Sequence, residues 1–462
     1  MSSTRQSVQI SQETFDGVVK ENMEDFGMDL QEALQDAIHT FRLQGADLKG
    51  IITDGSRGDN GTNPLVEVIK EVEHASTDIR GITLEHTSKV LEKLYCLCKE
   101  GGIDSISVAG RHGGVEASMS AFTALNNSES VVNLILKILS LLVEDAENKD
   151  KFKRAGGARM LMDILTRANK GHDNIRLSCG LVSAAATGDE IAMEQFMDLN
   201  AAQEFSKLLK ESTNDESLVI LICNAFKALV TSDDNRVVAS KAFTNARTFA
   251  ERGMVEALLL ASTQLQCSSS AVASLCMALK SLAVNEAICK SISEQRGIDF
   301  VLQALTECIK IERKPLAKSA CSLLSQLGGS DENKESIISQ GGLERLINIM
   351  SNFSDDPSVL QEAFTVITVL SLRSAQNSLK AVQAGTLDLV AEAMECHTSA
   401  ASMQRQACFL LRNLAVRSPE SRLAILEKGL EPLIRQAKRT HPSCKDAASG
   451  ALRDLGFDDY NS

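Results

Sequence analysis

Cysteine and histidine are the residues of this chain that most readily suggest metal binding or catalysis, but their spacing argues against both. The sequence has 12 cysteines and 7 histidines. The nearest approach to a metal-binding pair is Cys96 and Cys98, which are one residue apart and have no Cys- or His-rich stretch beside them. The histidines are scattered along the sequence. It contains no metalloprotease zinc-binding motif, no catalytic nucleophile motif and no phosphate-binding loop motif. We therefore expect no catalytic residue, metal or cofactor and no enzyme activity, although a site assembled from distant segments would leave no local motif.

Five of the cysteines share one position in a repeated pattern. They are Cys179, Cys223, Cys276, Cys321 and Cys408. Each follows an aliphatic marker residue by 21 residues, or by 23 in the case of Cys321, and Phe364 holds the position in the unit without a cysteine. A reduced cysteine behaves as a small, soft apolar residue and is readily buried. The pattern predicts packing in a core rather than metal ligation.

The marker residues themselves recur at nearly constant intervals. They are Val115, Ala158, Ala202, Val255, Ile298, Leu343, Leu387 and Leu430. The steps between them are 43, 44, 53, 43, 45, 44 and 43 residues. A period of this length indicates a helical solenoid, in which each unit packs only on its neighbours. Such a protein works through its long surface.

Each unit can be divided into three helices, as residues 331–373 illustrate. We predict a short first helix over 332–340, a second over 343–350 and a third from 357 to about 372. Gly341 and Gly342 separate the first two, since glycine tolerates the backbone angles of a sharp turn. Across the units the third helices align, most clearly at 408–415, which reads Cys-Phe-Leu-Leu-Arg-Asn-Leu-Ala.

These features resemble the armadillo repeat, and the resemblance covers about residues 64–457. The stretches 10–26 (ISQETFDGVVKENMEDF) and 41–48 (FRLQGADL) further resemble the opening of the armadillo repeat-containing protein 6 family. The resemblance implies an all-α fold, a right-handed armadillo superhelix (α-solenoid) of about nine three-helix units preceded by two N-terminal helices. It also implies a soluble intracellular protein with no established catalytic activity.

The chain divides into three predicted parts. Residues 1–50 form an acidic helical segment, with four Lys or Arg against nine Asp or Glu and two amphipathic helices over 11–46. Residues 51–63 are a polar, Gly-rich linker, and 64–462 are the solenoid. The 53-residue step contains an insertion near 231–246, which is interpreted as a tolerated surface loop or, alternatively, as a binding loop.

Similarity to armadillo proteins of the importin-alpha type draws attention to the third helices. In those proteins a Trp and, four residues later, an Asn clamp an extended peptide in a concave groove. This chain has no Trp, and only Phe409 and Asn413 provide an aromatic residue and an Asn at that spacing. The other pairs are Gly180/Ala184, Asn224/Ala228, Met277/Ser281, Ser322/Gln326, Thr365/Val369 and Gly450/Asp454. The peptide-clamping ladder is therefore expected to be lost, and the likeness is one of fold rather than function.

Four third helices have a basic residue one position before the second residue of the pair, which is Asn413 on the clearest third helix. These residues form a predicted basic row: Lys227, Lys280, Arg412 and Arg453. Long basic side chains commonly lie along a helix surface, which is one interpretation. The other interpretation is that the basic row binds an acidic peptide. The acidic N-terminal helices of the same chain could then cover this row. Deleting residues 1–50 would then expose the row to peptides.

We predict a non-enzymatic scaffold that binds a protein segment, acidic or extended, along the concave groove. The alternatives are a regulatory or substrate-positioning subunit of an enzyme complex and, less favoured, a transport adaptor. The predicted groove residues are Phe409, Asn413, Gln326, Met277, Ser281, Asn224, Lys227, Lys280, Arg412 and Arg453. A net charge of −13 argues against general nucleic-acid binding. We expect no membrane segment, no small-molecule substrate and a cytosolic location, with the nucleus left open.

Overall fold

Helices make up most of the described backbone, as the repeat period predicts. The computed structural model describes residues 8–53, 63–77, 84–167, 171–231, 241–457 and 459. The chain divides into two compact units, Met1–Leu199 and Asn200–Ser462, which are considered separately. The prediction of an all-α solenoid is confirmed by the succession of short helices in both units.

The first unit contains a short strand pair and ten helices within the described residues. The strands β1 (Val8–Gln9) and β2 (Ala46–Asp47) pair in parallel. The helices are α1 (Gln12–Glu24), α2 (Leu30–Leu43), α3 (Pro64–Thr77), α4 (Leu84–Arg111), α5 (Gly114–Leu125), α6 (Glu129–Leu142), α7 (Ala146–Arg154), α8 (Gly157–Thr166), α9 (His172–Ala186) and α10 (Glu190–Asp198). Gly102, at φ 59°, interrupts α4, so that its two parts belong to successive repeats.

The second unit continues the repeat without strands among its described residues. Its helices are α11 (Ala201–Glu211), α12 (Glu216–Val230), α13 (Lys241–Glu251), α14 (Met254–Gln264), α15 (Ser269–Leu282), α16 (Glu286–Glu294), α17 (Gly297–Lys310), α18 (Lys314–Leu327), α19 (Asp331–Ser339), α20 (Gly342–Asn352), α21 (Pro357–Ser371), α22 (Ala375–Gln383), α23 (Thr386–Cys396), α24 (Ala401–Ala415), α25 (Pro419–Glu427), α26 (Glu431–Thr440) and α27 (Lys445–Leu455). A 3₁₀ turn, Pro442–Cys444, precedes α27.

The predicted three-helix division is confirmed in the unit used to define it, where α19, α20 and α21 follow one another. Gly341 adopts φ 76° between the first two helices, a left-handed conformation that glycine accepts without steric cost. The Asp356 carboxylate caps α21 by accepting hydrogen bonds from the backbone N–H groups of Ser358 at 2.9 Å and Val359 at 3.2 Å. Pro357 follows in the first turn, where its missing N–H costs little.

A recurring asparagine explains how successive repeats are joined. The side-chain amide of Asn333 donates to the carbonyl oxygen of Leu327 at 3.0 Å, at the end of the preceding third helix. Asn245 does the same to Leu229 at 2.9 Å, and Asn377 to Leu370 at 3.0 Å. The last carbonyls of a helix have no partner within the helix, so each asparagine satisfies one of them. The third helices of neighbouring repeats then pack on one another, α12 on α15, α15 on α18, and onward to α27.

The predicted N-terminal helices are confirmed as α1 and α2, which form a hairpin with its own core. Phe15 and Phe41 pack with their ring centres 5.9 Å apart, and Ile51 is buried against them. The amide of Gln12 pairs with the backbone of Ile52, which holds the chain after β2 onto α1. The hairpin lies against α4 and α7 through contacts of Arg111 with the Ile10 carbonyl and of Lys49 with Asp145.

Two predicted segments are only partly described. Residues 54–62 of the predicted linker and 232–240 of the predicted insertion lie outside the described residues. The insertion was predicted to extend to residue 246, which is wrong, because α13 begins at Lys241. Burial of Ala242, Asn245 and Ala246 on one side of α13 explains why these residues are helical.

Candidate interaction face

The third helices of the second unit share one exposed side. We call it the third-helix face and define it on α24 by Arg405, Gln406, Phe409, Arg412 and Asn413, and on α12, α15, α18, α21 and α27 by the residues in the same register. On α24 these five positions are exposed or half-buried, whereas the cysteine and leucines between them are buried. On neighbouring third helices some of the corresponding residues, such as Ser322 and Thr368, are buried. The i, i+4, i+7 and i+8 spacing places them along one side of the helix.

An arginine and an aromatic ring form the most defined feature of this face. The guanidinium carbon of Arg405 lies 4.8 Å from the centre of the half-buried Phe409 ring. The four-residue spacing places the two side chains one turn apart, and the ring attracts the cation by its quadrupole. The sequence prediction identified Phe409 but missed Arg405, which the Arg-x3-Phe spacing signals. The stacked pair presents a flat apolar surface and a positive charge together.

Asn413 is less available than the ladder comparison suggested. Its side-chain nitrogen donates a 2.9 Å hydrogen bond to the carbonyl oxygen of Phe409 in its own helix. An asparagine amide has two N–H donors and one acceptor oxygen. One N–H of Asn413 is therefore occupied, and the second N–H and the oxygen remain available to a partner. The bond fixes the Asn413 side chain beside the Phe409 ring rather than leaving it to rotate.

The predicted basic row is partly neutralised at its C-terminal end. Arg412 donates to one oxygen of Asp454 at 3.0 Å, and Arg453 donates to the other at 2.8 Å. Burial alone would raise the pKa of Asp454, but the hydrogen bonds from Arg453 and Arg412 outweigh it and hold the pKa below the usual carboxyl value. Arg412 and Arg453 are therefore not two free cations, because a carboxylate 42 residues beyond Arg412 holds them both.

Other predicted face residues also connect neighbouring repeats. Lys280 donates to the hydroxyl of Ser322 at 2.5 Å, and Gln326 donates to the carbonyl oxygen of Ala283 at 2.7 Å. Ser281 donates to the Met277 carbonyl within its own helix at 3.1 Å. The bonds of Lys280 and Gln326 hold α15 and α18 in register. Sequence reasoning missed the bridging roles of Ser322 and Asp454, although each lies 42 residues beyond its partner, Lys280 or Arg412, which is close to one repeat.

The remaining predicted residues are at face positions of α12 and α15. Asn224 is exposed and Lys227 half-buried on α12, and Met277 is half-buried on α15. The structure adds Lys318 of α18, which is exposed and has no ion pair among the described residues. At the face positions of the described helices α18, α21 and α24 the cations are Lys318, Arg405 and Arg412, of which Arg412 is paired with Asp454, and the only acid is Glu362. This part of an acidic chain is therefore locally basic.

The predicted core position of the repeated cysteines is confirmed. Cys179, Cys223, Cys276, Cys321 and Cys408 have no exposed surface. Burial raises the pKa of the Cys223 thiol to about 12 and that of Cys408 to about 12. Within the described residues no group of three or more His, Cys, Asp or Glu is arranged to hold a metal ion. In the same part of the chain, no helix combines the length and apolar character needed to span a bilayer.

Two family models match the sequence. The ARMC6 model matches residues 67–459, and the model of the Armadillo repeat-containing protein 6 N-terminal domain matches residues 7–78. The Armadillo repeat-containing protein 6 homolog of Drosophila melanogaster is 28% identical over 386 residues, which cover 81% of this chain and 80% of the relative. The Homo sapiens Armadillo repeat-containing protein 6 is 26% identical over 384 residues, which cover 80% of this chain and 75% of the relative.

Solved structures show the same fold at lower sequence identity. An engineered protein superposes with a TM-score of 0.59 at 18% identity, covering 85% of this chain and 99% of the other. A chain from a structure that concerns the interaction between cadherin and beta-catenin has a TM-score of 0.58 at 15% identity, covering 85% and 69%. Both are armadillo-type solenoids, and at these identities the likeness concerns the fold alone.

Proposed function

The chain belongs to the armadillo repeat-containing protein 6 family, and from that premise we propose that it is a cytosolic scaffold that binds a protein segment along its third-helix face. The armadillo fold commonly serves protein interaction. The proposed contact region extends over α18, α21 and α24 of the second unit, which we take to be part of the concave groove. The partner segment is extended and carries acidic side chains.

The stacking of Arg405 on Phe409 carries this proposal. The ring is half-buried and the guanidinium lies 4.8 Å from its centre, so the two side chains restrict each other before a partner binds. Aromatic and arginine side chains of this kind dominate the free energy of many protein interfaces. The donor and acceptor that Asn413 retains beside the ring are suited to a partner's peptide group.

Charge and spacing favour an acidic extended partner. Lys318 and Arg405 are exposed on a part of the face whose single acid is Glu362, so that an acidic side chain of a partner gains attraction there. Neighbouring third helices are about 10 Å apart, and an extended chain advances about 3.3 Å per residue. About three partner residues would therefore cross each repeat, and about six would connect α18 with α24.

The test is quantitative affinity purification of the full chain from cytosol, comparing the wild type with an Arg405→Glu/Phe409→Ala variant. The matched control is Phe243→Ala/Arg247→Glu, which alters an exposed phenylalanine and arginine four residues apart on α13. We expect a defined set of partners to be lost from the first variant and kept by the control. Because both variants change the same residue types at exposed or half-buried positions, general loss of solubility would affect them alike.

Two results would contradict the proposal. One is a partner set that the Arg405→Glu/Phe409→Ala variant retains in full. The other is equal loss from the α13 control, which would show that the partners respond to charge or folding rather than to the third-helix face. Circular dichroism melting of the three proteins establishes whether their folding is equivalent.

A further inference from the structure

The tip of the N-terminal hairpin exposes three large apolar side chains close together in the chain. Met23 near the end of α1 is 40% exposed, Phe26 in the turn is 69% exposed, and Leu30 at the start of α2 is 42% exposed. We call these three residues the apolar tip. Phe26 has the greatest exposure of any phenylalanine among the described residues. Contiguous exposed apolar groups on a folded protein commonly mark an interaction surface.

The hairpin does not need the apolar tip for its own folding. Its core is formed by Phe15, Val19, Phe41 and other buried residues, and Met28 of the same turn packs against that core. The side chain of Asn22 joins the two helices by donating to the Ala33 carbonyl at 3.3 Å and to Asp36 at 3.1 Å. Phe26 thus remains outside a hairpin that is already closed.

Exposed acidic residues are interspersed with the apolar tip along the chain. Residues 20–32 include five acids, Glu21, Glu24, Asp25, Asp29 and Glu32, and one base, Lys20. All six are exposed, and Lys20 lies 3.7 Å from Glu24 and so neutralises one of these acids. The charge of this surface is opposite to that of the third-helix face. An apolar centre with an acidic rim complements an apolar centre with a basic rim.

We propose that the apolar tip is a second docking surface, which binds a basic amphipathic helix of a partner protein. A helix satisfies its own backbone hydrogen bonds, so it can place an apolar side against Phe26 without leaving polar groups unpaired. Its Lys or Arg side chains would cover the margins of the tip with their methylene stems and reach Glu21, Asp25 and Glu32 with their charges. This surface differs from the third-helix face in position, charge and partner chemistry.

The experiment measures binding of a fluorescent Leu/Lys peptide to the full chain by anisotropy. The peptide has about 14 residues with leucines on one side of the helix, and a shuffled peptide of the same composition lacks that side. We expect Phe26→Ser to weaken binding about tenfold, a change of about 1.4 kcal/mol. The control is Leu43→Ser, at the opposite end of α2, where the side chain is 75% exposed. It should bind like the wild type.

The charge component has its own variant. Asp25→Asn/Glu32→Gln should weaken binding and reduce its dependence on salt, because fewer ion pairs form at the rim. The proposal is overturned if Phe26→Ser binds as tightly as the wild type, if Leu43→Ser loses as much, or if the shuffled peptide binds equally well. It is also overturned if light scattering shows a dimer of the wild type that Phe26→Ser dissolves, since the tip would then serve self-association.

Discussion

Asp454 of α27 accepts a 3.0 Å hydrogen bond from Arg412 of α24, the helix one repeat earlier. The other carboxylate oxygen accepts a 2.8 Å bond from Arg453. The side chain of Asp454 is only 11% exposed, so one partly buried acid holds two of the four residues of the predicted basic row. On this part of the face, basic residues stabilise the stacking of repeats.

We predict that Asp454→Asn destabilises the second unit by about 1 kcal/mol near neutral pH, because Arg412 and Arg453 lose a charged acceptor. The pKa of Asp454 is lowered in the folded chain, so its contribution is present above the unfolded pKa of about 4. It is lost as the pH falls through the lower folded-state pKa. Urea unfolding of both proteins should therefore show a difference near neutral pH that narrows below about pH 4. A difference that is independent of pH would contradict this account.

Two glycines should respond to alanine in opposite directions. Gly385 has φ 94° and Gly180 lies within α9, and an added Cβ would meet no atom within 4 Å at either site. Gly385→Ala should cost about 1 kcal/mol, because an L residue is strained at positive φ. Gly180→Ala should gain up to about 1 kcal/mol from helix propensity. Calorimetry measures the melting temperature of each variant and so checks both signs. If both melting temperatures shift in the same direction, packing rather than backbone conformation determines the effect of alanine at these sites.

The cysteines should fall into two reactivity classes. Cys96, Cys267 and Cys396 are exposed, and the other nine are buried. Burial raises the pKa of thiols such as Cys223 to about 12, so almost no thiolate forms in mildly alkaline buffer. We expect a disulfide reagent to titrate three thiols rapidly in the native protein and all 12 after denaturation. Rapid reaction of Cys276 or Cys321, identified by mass spectrometry, would contradict the assignment of these residues to the core.

The features that repeat are those that the sequence predicts well. The 43-residue interval, the glycine turn at Gly341 and the cysteine position each recur in several units, so chance similarity is averaged out. The i, i+4 relation of Phe409 and Asn413 follows from helix geometry alone. The structure places Gly341 in a turn at φ 76° and buries Cys408, as the periodicity predicts.

Features that occur once were harder to predict. Phe26 fits the apolar spacing of α1, but the helix ends at Glu24 and Gly27 turns the chain at φ 66°, so Phe26 leaves the helical register. The link from Arg412 to Asp454 depends on which side chains meet across two repeats, and neither helix contains that information by itself. The occupied donor of Asn413 reflects competition between a partner and its own backbone, which sequence spacing does not resolve.

The most direct test of the proposed interaction is photo-crosslinking from single positions in cells. The probe position is Gln361, which lies on the third-helix face of α21 in register with Arg405. The control position is Gln303, which lies on the exposed side of α17, the second helix of its repeat. A photoreactive amino acid replaces one of these glutamines at a time. We predict that position 361 crosslinks to an acidic segment of a protein partner, that position 303 does not, and that Arg405→Glu/Phe409→Ala abolishes the crosslink. Crosslinks of the same partner from position 303 alone, or from position 361 after that substitution, would contradict the account.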